Sequence, residues 1–357
     1  MRVLVLTPYP YGTTAGPRSS FELWEGVLAD AGITLDYAVF ETDELHEIIY
    51  QAAPLSRKAY EMGRAYLKFL PKARAARDYD AVLINREATL IGPALVERWV
   101  ARIGRPIIYH LDDPLYIPYR SETNGALAYL KFFGKVKSLC RMAKVVTANS
   151  PSHVAFAQQV NRNVWEIPSV VDAGVYDGWR AKPAGAETCV GWSGSPSTVG
   201  NLQVIREPLR ELGERDDISL RFIGAPDFNL PDVRHTGVSW DPKTEVADVR
   251  KLDIGLVPLP LTPWTPHKFY LKLVQYMALG IPAVATPLGS NPIVIEDGTT
   301  GLLATGDPEW IRLISLLADD PELREAMGRR AAEVAHARYT VQANAEKIVA
   351  AFRSAVA

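Results

Sequence analysis

The 357-residue chain has few cysteines, little net charge and no long apolar run, and each shortage excludes a class of protein. Its two cysteines, Cys140 and Cys189, are too few for a disulfide framework or a structural zinc site, and they fit a reducing compartment. The 39 basic and 41 acidic residues give a net charge of −2, which excludes a generally cationic nucleic-acid binder. No window reaches the roughly 18 apolar residues of a membrane-spanning helix, and the short apolar start lacks a signal-peptide pattern. The sequence predicts a cytoplasmic protein.

The chain does contain a regular alternation of short β-branched runs and amphipathic stretches. This alternation predicts βαβ units and parallel sheets that are covered by helices on both faces. A first series of strands is expected at residues 2–7, 34–40, 81–84, 106–109, 144–148 and 163–167, and a second at 188–192, 218–223, 253–257 and 281–285.

Chain length predicts two domains, each large enough for its own doubly wound sheet. The first is expected at residues 1–171 and the second at 188–339, separated by a linker rich in glycine at 172–187. Residues 340–357 form a last helical stretch, which periodicity allows to pack on either domain, packing back on the first being one option. Ligands of such sheets bind beyond the carboxyl ends of the strands.

A loop with two glycines, residues 7–18, follows the first strand and leads into a helix expected at Gly16–Ala31. Gly16 permits backbone shapes that other residues avoid, and Arg18 near a helix N-terminus can meet an anionic or polyhydroxyl ligand. An ordinary βα turn made of turn residues explains the same pattern.

A buried strand at residues 106–109 runs directly into His110, Asp112 and Asp113. On an extended backbone, His110 and Asp112 point the same way and Asp113 points the other way. His110 or Asp112 can orient an acceptor hydroxyl at this strand end. In the alternative, the aspartates are helix caps or turn formers beside Pro114. Two adjacent carboxylates are an incomplete magnesium site.

The second series of strands opens with a similar segment, residues 189–198. The amides and hydroxyls around Gly194 and Ser195, ahead of a helix expected from about Val199, can face a phosphate. The lysine-containing core of a P-loop is absent. A tight turn of small residues, with Thr198 capping the helix, is the alternative.

Residues 265–286 carry the most information. They predict a helix over Pro266–Leu279 that is stopped by Gly280 and followed by a buried strand. Lys268, Lys272 and Gln275 are spaced i, i+4 and i+7, which predicts that they project from one side of this helix. A polar stripe of this kind is otherwise a solvated face. Two glycine-bearing turns follow, at residues 287–292 and 296–301.

The stretch KLVQYMALGIPAVATPLGSN, residues 272–291, continues to EDGTTGLL at 296–303. Together with weaker matches at residues 12–18, 110–112 and 191–198, it resembles the retaining nucleotide-sugar glycosyltransferases with the GT-B fold, which include glycogen and sucrose synthases. The resemblance implies an α/β protein with two Rossmann-like, doubly wound parallel-sheet domains that face each other across a cleft. It also implies that the first domain binds the acceptor and the second the nucleotide sugar.

For individual residues, the resemblance implies transfer with retention at the anomeric carbon, without a metal or cofactor. His110 or Asp112 would steer the acceptor, and Lys272 would neutralise the leaving diphosphate. Gln275 matches the glutamate that holds the donor ribose hydroxyls, whereas His267 stands where the family has another glutamate. The expected donor-binding residues are Gly16, Arg18, Gly194, Ser195, Lys268, Lys272, Gln275, Ser290 and Asn291.

Two basic, aromatic-bearing segments suggest where an acceptor is found. Residues 54–77 hold seven basic side chains and one acid, and residues 126–144 hold five basic side chains and no acid. Such helices can lie on an anionic membrane surface, which predicts a glycan or lipid-linked acceptor at the inner face of the membrane. Solvated helix faces over a core explain the same composition.

Two other functions fit the same fold, because a fold alone does not fix a reaction. One is a nucleotide-sugar epimerase or hydrolase. The other is a catalytically silent relative that binds a nucleotide sugar or glycan, and His267 in place of a glutamate favours it.

Overall fold

The computed structural model describes residues 1–49, 51, 53–118, 130, 132–179 and 187–357. These residues form two compact units. Unit 1 consists of Met1–Ser169, His267–Phe269 and Asn344–Ala357, and unit 2 consists of Val170–Pro266 and Tyr270–Ala343. Of the linker predicted at 172–187, residues 180–186 lie outside the described part.

Unit 1 is built on a sheet in which all described strand pairs are parallel. The strand order is β2-β1-β3-β4-β5-β6. The strands are β1 (Arg2–Thr7), β2 (Thr34–Val39), β3 (Ala81–Asn85), β4 (Ile107–Leu111), β5 (Val145–Ala148) and β6 (Val164–Glu166). The continuous apolar runs of β3, β4 and β5 are buried along their whole length, as expected for central strands covered on both faces.

The helices of unit 1 connect these strands. They are α1 (Ala15–Arg18), α2 (Phe21–Asp30), α3 (Asp43–Ile49), α4 (Leu55–Arg74), α5 (Leu95–Arg102), α6 (Lys135–Met142) and α7 (Pro151–Gln158). Long α4 packs an apolar stripe on the sheet, because Met62, Ala65, Phe69 and Ala73 recur at helical spacing and are buried.

Unit 2 is a second parallel sheet, with strand order β12-β11-β10-β7-β8-β9. Its strands are β7 (Thr188–Ser193), β8 (Ile218–Ile223), β9 (His235–Val238), β10 (Ile254–Val257), β11 (Ala283–Ala285) and β12 (Gly301–Leu303). Its helices are α8 (Arg206–Gly213), α9 (Glu245–Val249), α10 (Leu271–Ala278), α11 (Asn291–Val294), α12 (Asp307–Asp319) and α13 (Pro321–Arg338).

The last helix, α14 (Ala345–Val356), belongs to unit 1 and packs against α2, β4 and β5. Its Phe352 ring meets the Trp24 ring edge-on at 6.3 Å between centroids. The predicted α/β class with two doubly wound parallel sheets is confirmed.

Two helix predictions were wrong in extent. The helix expected at Gly16–Ala31 is divided into α1 and α2, because Ser19 and Ser20 turn their hydroxyls back onto the Gly16 carbonyl, at 3.1 and 2.8 Å. Arg18 is therefore the last residue of α1 and does not open a long helix.

The helix expected at Pro266–Leu279 begins only at Leu271. Ahead of it, residues 265–267 form a 3₁₀ turn, and the extended Tyr270 donates its backbone N–H to the Ser290 hydroxyl at 3.1 Å. Lys268 precedes α10, so it does not share one helix face with Lys272 and Gln275.

Candidate functional site

The strand orders of the two sheets locate one switch point in each unit. In unit 1 the order reverses between β1 and β3, and in unit 2 it reverses between β7 and β10. Ligands of open α/β sheets bind outside the carboxyl ends of the strands at such points. The residues just after these four strands are therefore the candidates.

In unit 1, an arginine follows β3 at the switch point. The Arg86 guanidinium pairs with both carboxylate oxygens of Asp112, at 2.7 and 3.1 Å, and with Asp113 at 2.6 Å. It also lies 5.5 Å from the centroid of the Tyr9 ring, which follows β1. Arg86 has a φ of 57°, a left-handed conformation that few non-glycine residues adopt. The two aspartates do not point apart as predicted, since β4 ends at Leu111.

A second cation joins this cluster, because Lys268 pairs with Asp113 at 3.1 Å within unit 1. Burial alone would raise the pKa of Asp113, but the charges of Arg86 and Lys268 outweigh it and lower the pKa to about 2. Burial would likewise lower the pKa of Arg86, while the two carboxylates raise it well above its usual range. Asp113 and Arg86 therefore both stay ionised at neutral pH.

The glycine loop touches the same cluster. A Cβ atom on Gly16 would lie 2.2 Å from Asp112 Oδ2 and 2.6 Å from Arg86 Nη2, so only glycine fits against this ion pair. The structure thus brings together Gly16 and Asp112, two of the residues singled out from sequence.

His110 lies deeper in unit 1. Its imidazole is fully buried, with Nδ1 2.9 Å from the Thr147 hydroxyl and the ring edge-on to Trp24 at 5.1 Å. Burial lowers the pKa of His110 to about 4, so the ring is neutral at pH 7. A side chain in this position has no exposed surface that an acceptor could contact. The role predicted for His110, steering the acceptor hydroxyl, stays a prediction, and this placement does not favour it.

In unit 2, the switch point holds a lysine over an aromatic ring. Lys272, in the first turn of α10, places its ammonium 4.3 Å from the ring centroid of Trp192 on β7. Gly194 follows β7 directly, and a Cβ atom there would lie 2.2 Å from the Trp192 ring and 2.9 Å from Lys272 Nζ. A side chain at this position would displace the Trp192 ring or the lysine, so glycine lets both lie against the loop.

Two further contacts fix the position of this loop. The Ser193 backbone N–H donates to the Tyr276 hydroxyl at 2.7 Å, which ties the end of β7 to α10. Gly224 has a φ of 83°, and a Cβ atom there would come 1.8 Å from the Gly194 carbonyl oxygen. The loop after β7 is therefore held by helix α10 on one side and by the loop after β8 on another.

Gln275 lies one turn beyond Lys272 and is mostly buried. Its Nε2 donates to the Tyr176 hydroxyl at 2.7 Å and to Glu245 Oε1 at 3.2 Å. The same Glu245 oxygen accepts from the Trp240 indole N–H at 3.1 Å. These four side chains form a polar group, which we call the Gln275 cluster.

Three other predicted residues have structural contacts. The Ser195 backbone N–H donates to the Thr198 hydroxyl at 3.2 Å, as part of a capping box for the 3₁₀ helix Pro196–Ile205. The Ser290 hydroxyl receives the Tyr270 N–H, which sets the start of α10. Buried Asn291 donates from Nδ2 to the Thr286 carbonyl at 2.9 Å.

Sequence reasoning missed several residues of these sites. Arg86 could have been found, because it stands within two residues of the end of an expected strand, as His110 and Gly194 do. Trp240 and Glu245 carried no comparable signal, because Trp240 follows the short strand β9 and Glu245 begins the short helix α9, and neither element was predicted.

Within the described residues, no three His, Cys, Asp or Glu side chains are grouped so as to hold a metal ion. The same residues contain no helix with the length and apolarity needed to cross a membrane.

Comparison with solved structures identifies the fold class. The fold matches HepE of Anabaena, solved with UDP-glucose, with a TM-score of 0.72 at 16% identity over 99% of this chain and 100% of that one. It matches sucrose-phosphate synthase of Thermosynechococcus elongatus with the same score and identity, over 99% and 98% of the two chains. The protein has the GT-B fold.

Sequence comparison then relates part of the second half to a known family. Residues 189–320 match the profile of "Glycosyl transferases group 1". A D-inositol 3-phosphate glycosyltransferase of Corynebacterium diphtheriae is 39% identical over 183 residues, which cover 44% of this chain and 42% of that protein. The chain spans less than half the length of the curated relatives it matches. The matched residues contain α10, the Gln275 side chain and all of β7 except Thr188.

Proposed function

We propose that the protein is a glycosyltransferase that moves a sugar from a nucleotide-sugar donor to an acceptor hydroxyl, with retention at the anomeric carbon. Unit 2 binds the donor in this proposal, and unit 1 binds the acceptor. The observation that carries the proposal is the grouping of Lys272, Trp192 and Gly194 at the switch point of the unit 2 sheet, inside the matched domain.

The chemistry follows from the charge at this point. When a glycosidic bond to a diphosphate breaks, negative charge develops on the leaving oxygen, and a fixed ammonium group stabilises it. Lys272 supplies that ammonium, which lies against Gly194 in the loop after β7. The indole of Trp192 orients the ammonium without neutralising it, since the ring carries no net charge.

From the sequence, both Lys268 and Lys272 were expected to bind the donor diphosphate. We now assign the diphosphate to Lys272 alone. Lys268 pairs with Asp113 in unit 1, and Lys272 lies over Trp192 in unit 2. On the acceptor side, we assign Asp112, held by Arg86, to the acceptor hydroxyl. His110 is buried, so it would act only through its neighbours.

A panel of UDP-, GDP- and dTDP-sugars tests the proposal. We expect release of a nucleoside diphosphate together with a new glycoside whose anomeric configuration is that of the donor. An inverted product would contradict the retaining mechanism. Nucleotide binding without turnover would instead support the silent relative, for which His267 is the sequence argument. A changed sugar with no new glycoside would indicate an epimerase, and free sugar alone a hydrolase.

We also propose that the acceptor is a glycan or a lipid-linked molecule, reached from a membrane surface by helix α4. Its outward face exposes Leu67 to 74% and Tyr60 to 66%. The exposed or partly exposed basic side chains of this helix and its following turn are Arg57, Lys58, Arg64, Lys68, Lys72, Arg74 and Arg77. A helix with basic and apolar groups on one face binds anionic headgroups and acyl chains together.

The second basic segment contributes less to this surface. Residues 126–129 and Lys131 lie outside the described part of the chain. Lys135 is buried and pairs with Glu87 at 2.5 Å, so its charge is neutralised inside unit 1. Lys137, Arg141 and Lys144 are exposed.

Sedimentation with phosphatidylglycerol vesicles at low salt tests the membrane contact. We expect the protein to bind these vesicles, to bind phosphatidylcholine vesicles weakly, and to lose binding in Leu67→Glu. The matched control is Leu261→Glu, because Leu261 is 80% exposed in unit 2 and should be dispensable. Equal sedimentation of both variants and the wild type would contradict the proposal.

A further inference from the structure

We propose that Glu245 is a positioning residue that fixes the orientation of the Gln275 amide, so that the amide oxygen accepts a hydrogen bond from a ribose hydroxyl of the donor. The inference rests on the proposed function, because it takes the ligand to be a nucleoside diphosphate. It adds a residue and a means of ribose selection to that function.

The hydrogen bonds define which end of the amide faces inward. A carboxylate can only accept, so the pairing with Glu245 Oε1 requires that the NH₂ end of Gln275 points toward it. The second N–H of the same nitrogen is directed to the Tyr176 hydroxyl. Both amide protons are thus used inside unit 2, and among the described residues the Gln275 Oε1 atom receives no hydrogen bond. That oxygen is the remaining acceptor.

Glu245 is itself fixed from a second direction. The Trp240 indole N–H donates to the same oxygen that accepts from Gln275. An indole nitrogen can only donate, so this contact requires an acceptor atom at the position of Glu245 Oε1. A carboxylate oxygen meets that requirement. The chain of contacts therefore runs from Trp240 through Glu245 to Gln275.

The position of the Gln275 cluster agrees with the nucleoside part of the ligand. Gln275 follows Lys272 by three residues on α10, a spacing that puts two side chains about 5–6 Å apart on one helix face. Trp240 lies beside Gly224, whose Cβ position is 3.5 Å from Trp240 Cβ and 1.8 Å from the Gly194 carbonyl. The cluster thus adjoins the loop proposed to hold the diphosphate. In a nucleoside diphosphate, the group next to the diphosphate is a ribose, whose hydroxyls are donors for an amide oxygen.

Replacing Glu245 by glutamine should release this constraint. A glutamine at 245 can present either its oxygen or its NH₂ group to Gln275, so the residue at 245 no longer enforces one orientation of the Gln275 amide, and only the Trp240 N–H still favours the glutamine oxygen. Ribose recognition then weakens, while Lys272 and Gly194 are unchanged. A ribose hydroxyl that loses its acceptor in a buried site is penalised by more than the lost hydrogen bond. The variant is therefore expected to distinguish a ribonucleotide less well from its deoxy counterpart.

Calorimetric titration tests this with UDP, GDP and ADP, each beside its 2′-deoxy and 3′-deoxy counterparts. We expect the wild type to bind a ribonucleotide about tenfold more tightly than at least one deoxy counterpart, and Glu245→Gln to reduce this ratio to below about threefold. The double variant Glu245→Gln with Gln275→Glu exchanges donor and acceptor and should restore the ratio. Adding Trp240→Phe to Glu245→Gln removes the remaining donor that selects the glutamine oxygen and should lower the ratio further. Lys251→Ala, outside the Gln275 cluster, is the control and should leave the ratio close to that of the wild type.

Two results would overturn the inference, and they are distinguishable. An unchanged ratio in a folded Glu245→Gln protein would contradict the role of Glu245 and leave the proposed function standing. Failure of the wild type to bind any of these nucleotides would contradict the proposed function and this inference with it. If Glu245→Gln does not fold, the double variant alone decides, since loss of the ratio there would contradict the exchange.

Discussion

Each unit places a cation at the switch point of its sheet, but the groups around the two cations differ. In unit 1, Arg86 is neutralised inside the protein by Asp112 and Asp113. In unit 2, the ammonium of Lys272 lies over the uncharged ring of Trp192. The comparison indicates that a charged residue at a switch point does not by itself define an anion site. The first arrangement is an ion cluster that holds Asp112 in place beside Gly16, and the second places a cation at the loop proposed to hold the diphosphate.

The largest effect is expected from removing the arginine of unit 1. Arg86→Ala leaves Asp112 and Asp113 without this partner in a buried place, which should destabilise unit 1 by about 3–5 kcal/mol. Hydrogen exchange followed by mass spectrometry would show the lost protection in β3 and β4, with unit 2 peptides nearly unchanged. Equal loss of protection in both units would contradict the assignment of this cluster to unit 1 alone.

Acidification should weaken unit 1 through its buried histidines. Burial lowers the pKa of both His110 and His153 to about 4, below the usual 6.5. Since the unfolded chain binds these protons first, stability is full above pH 6.5 and falls as the pH drops toward 4, by roughly 3 kcal/mol for each histidine.

Urea unfolding at pH 7 and pH 4.5 measures this loss. A His110→Asn variant should lose less stability between the two pH values than the wild type, because one of the two protonation sites is gone. Identical losses in both proteins would show that His110 does not carry the pH dependence.

Asp113 makes a separate contribution to the pH dependence of stability, which the same titration measures. Its folded pKa of about 2 is below the ordinary 3.8, so its contribution is present above pH 3.8 and disappears as the pH falls through 2. The loss caused by Asp113 is therefore expected at lower pH than that caused by the histidines.

A smaller effect is expected at the two switch-point glycines. Gly16→Ala would press a methyl group against the Arg86–Asp112 pair, and Gly194→Ala would press one against Trp192. Each should destabilise its own unit by about 1–3 kcal/mol. The control is Gly26→Ala in α2, where nothing lies within 4 Å of the added Cβ and helix propensity should stabilise by about 0.5–1 kcal/mol. Thermal unfolding of the three variants measures the effects, and a destabilised Gly26→Ala would contradict the steric explanation.

The sequence predicted most of the fold because the central strands are continuous apolar runs with no other stable place than the middle of a parallel sheet. It missed β9 and β12, since HTGV is largely exposed and GLL has only three residues. It misplaced the start of α10, because that start depends on a hydrogen bond to Ser290, twenty residues further along the chain.

Contacts between residues that are distant in sequence also explain why the sites were predicted only in part. The glycines and Lys272 could be predicted because local chain geometry and strand order bring them together. The partners of Lys268, Arg86 and Gln275 could not, because Asp113, Asp112 and Glu245 are more than twenty residues distant and no spacing rule connects them. The family resemblance was confirmed, whereas the ion cluster of unit 1 emerged only from the structure.

Turnover of the Lys272→Ala variant tests the proposed donor site most directly, with Lys251→Ala as control because that lysine is about half exposed and pairs with Asp248 elsewhere in unit 2. If Lys272 neutralises the departing diphosphate, kcat/KM for the preferred donor falls on the order of 100-fold or more in Lys272→Ala, with thermal stability retained and Lys251→Ala unaffected. Near-wild-type turnover in a folded Lys272→Ala protein would contradict the account.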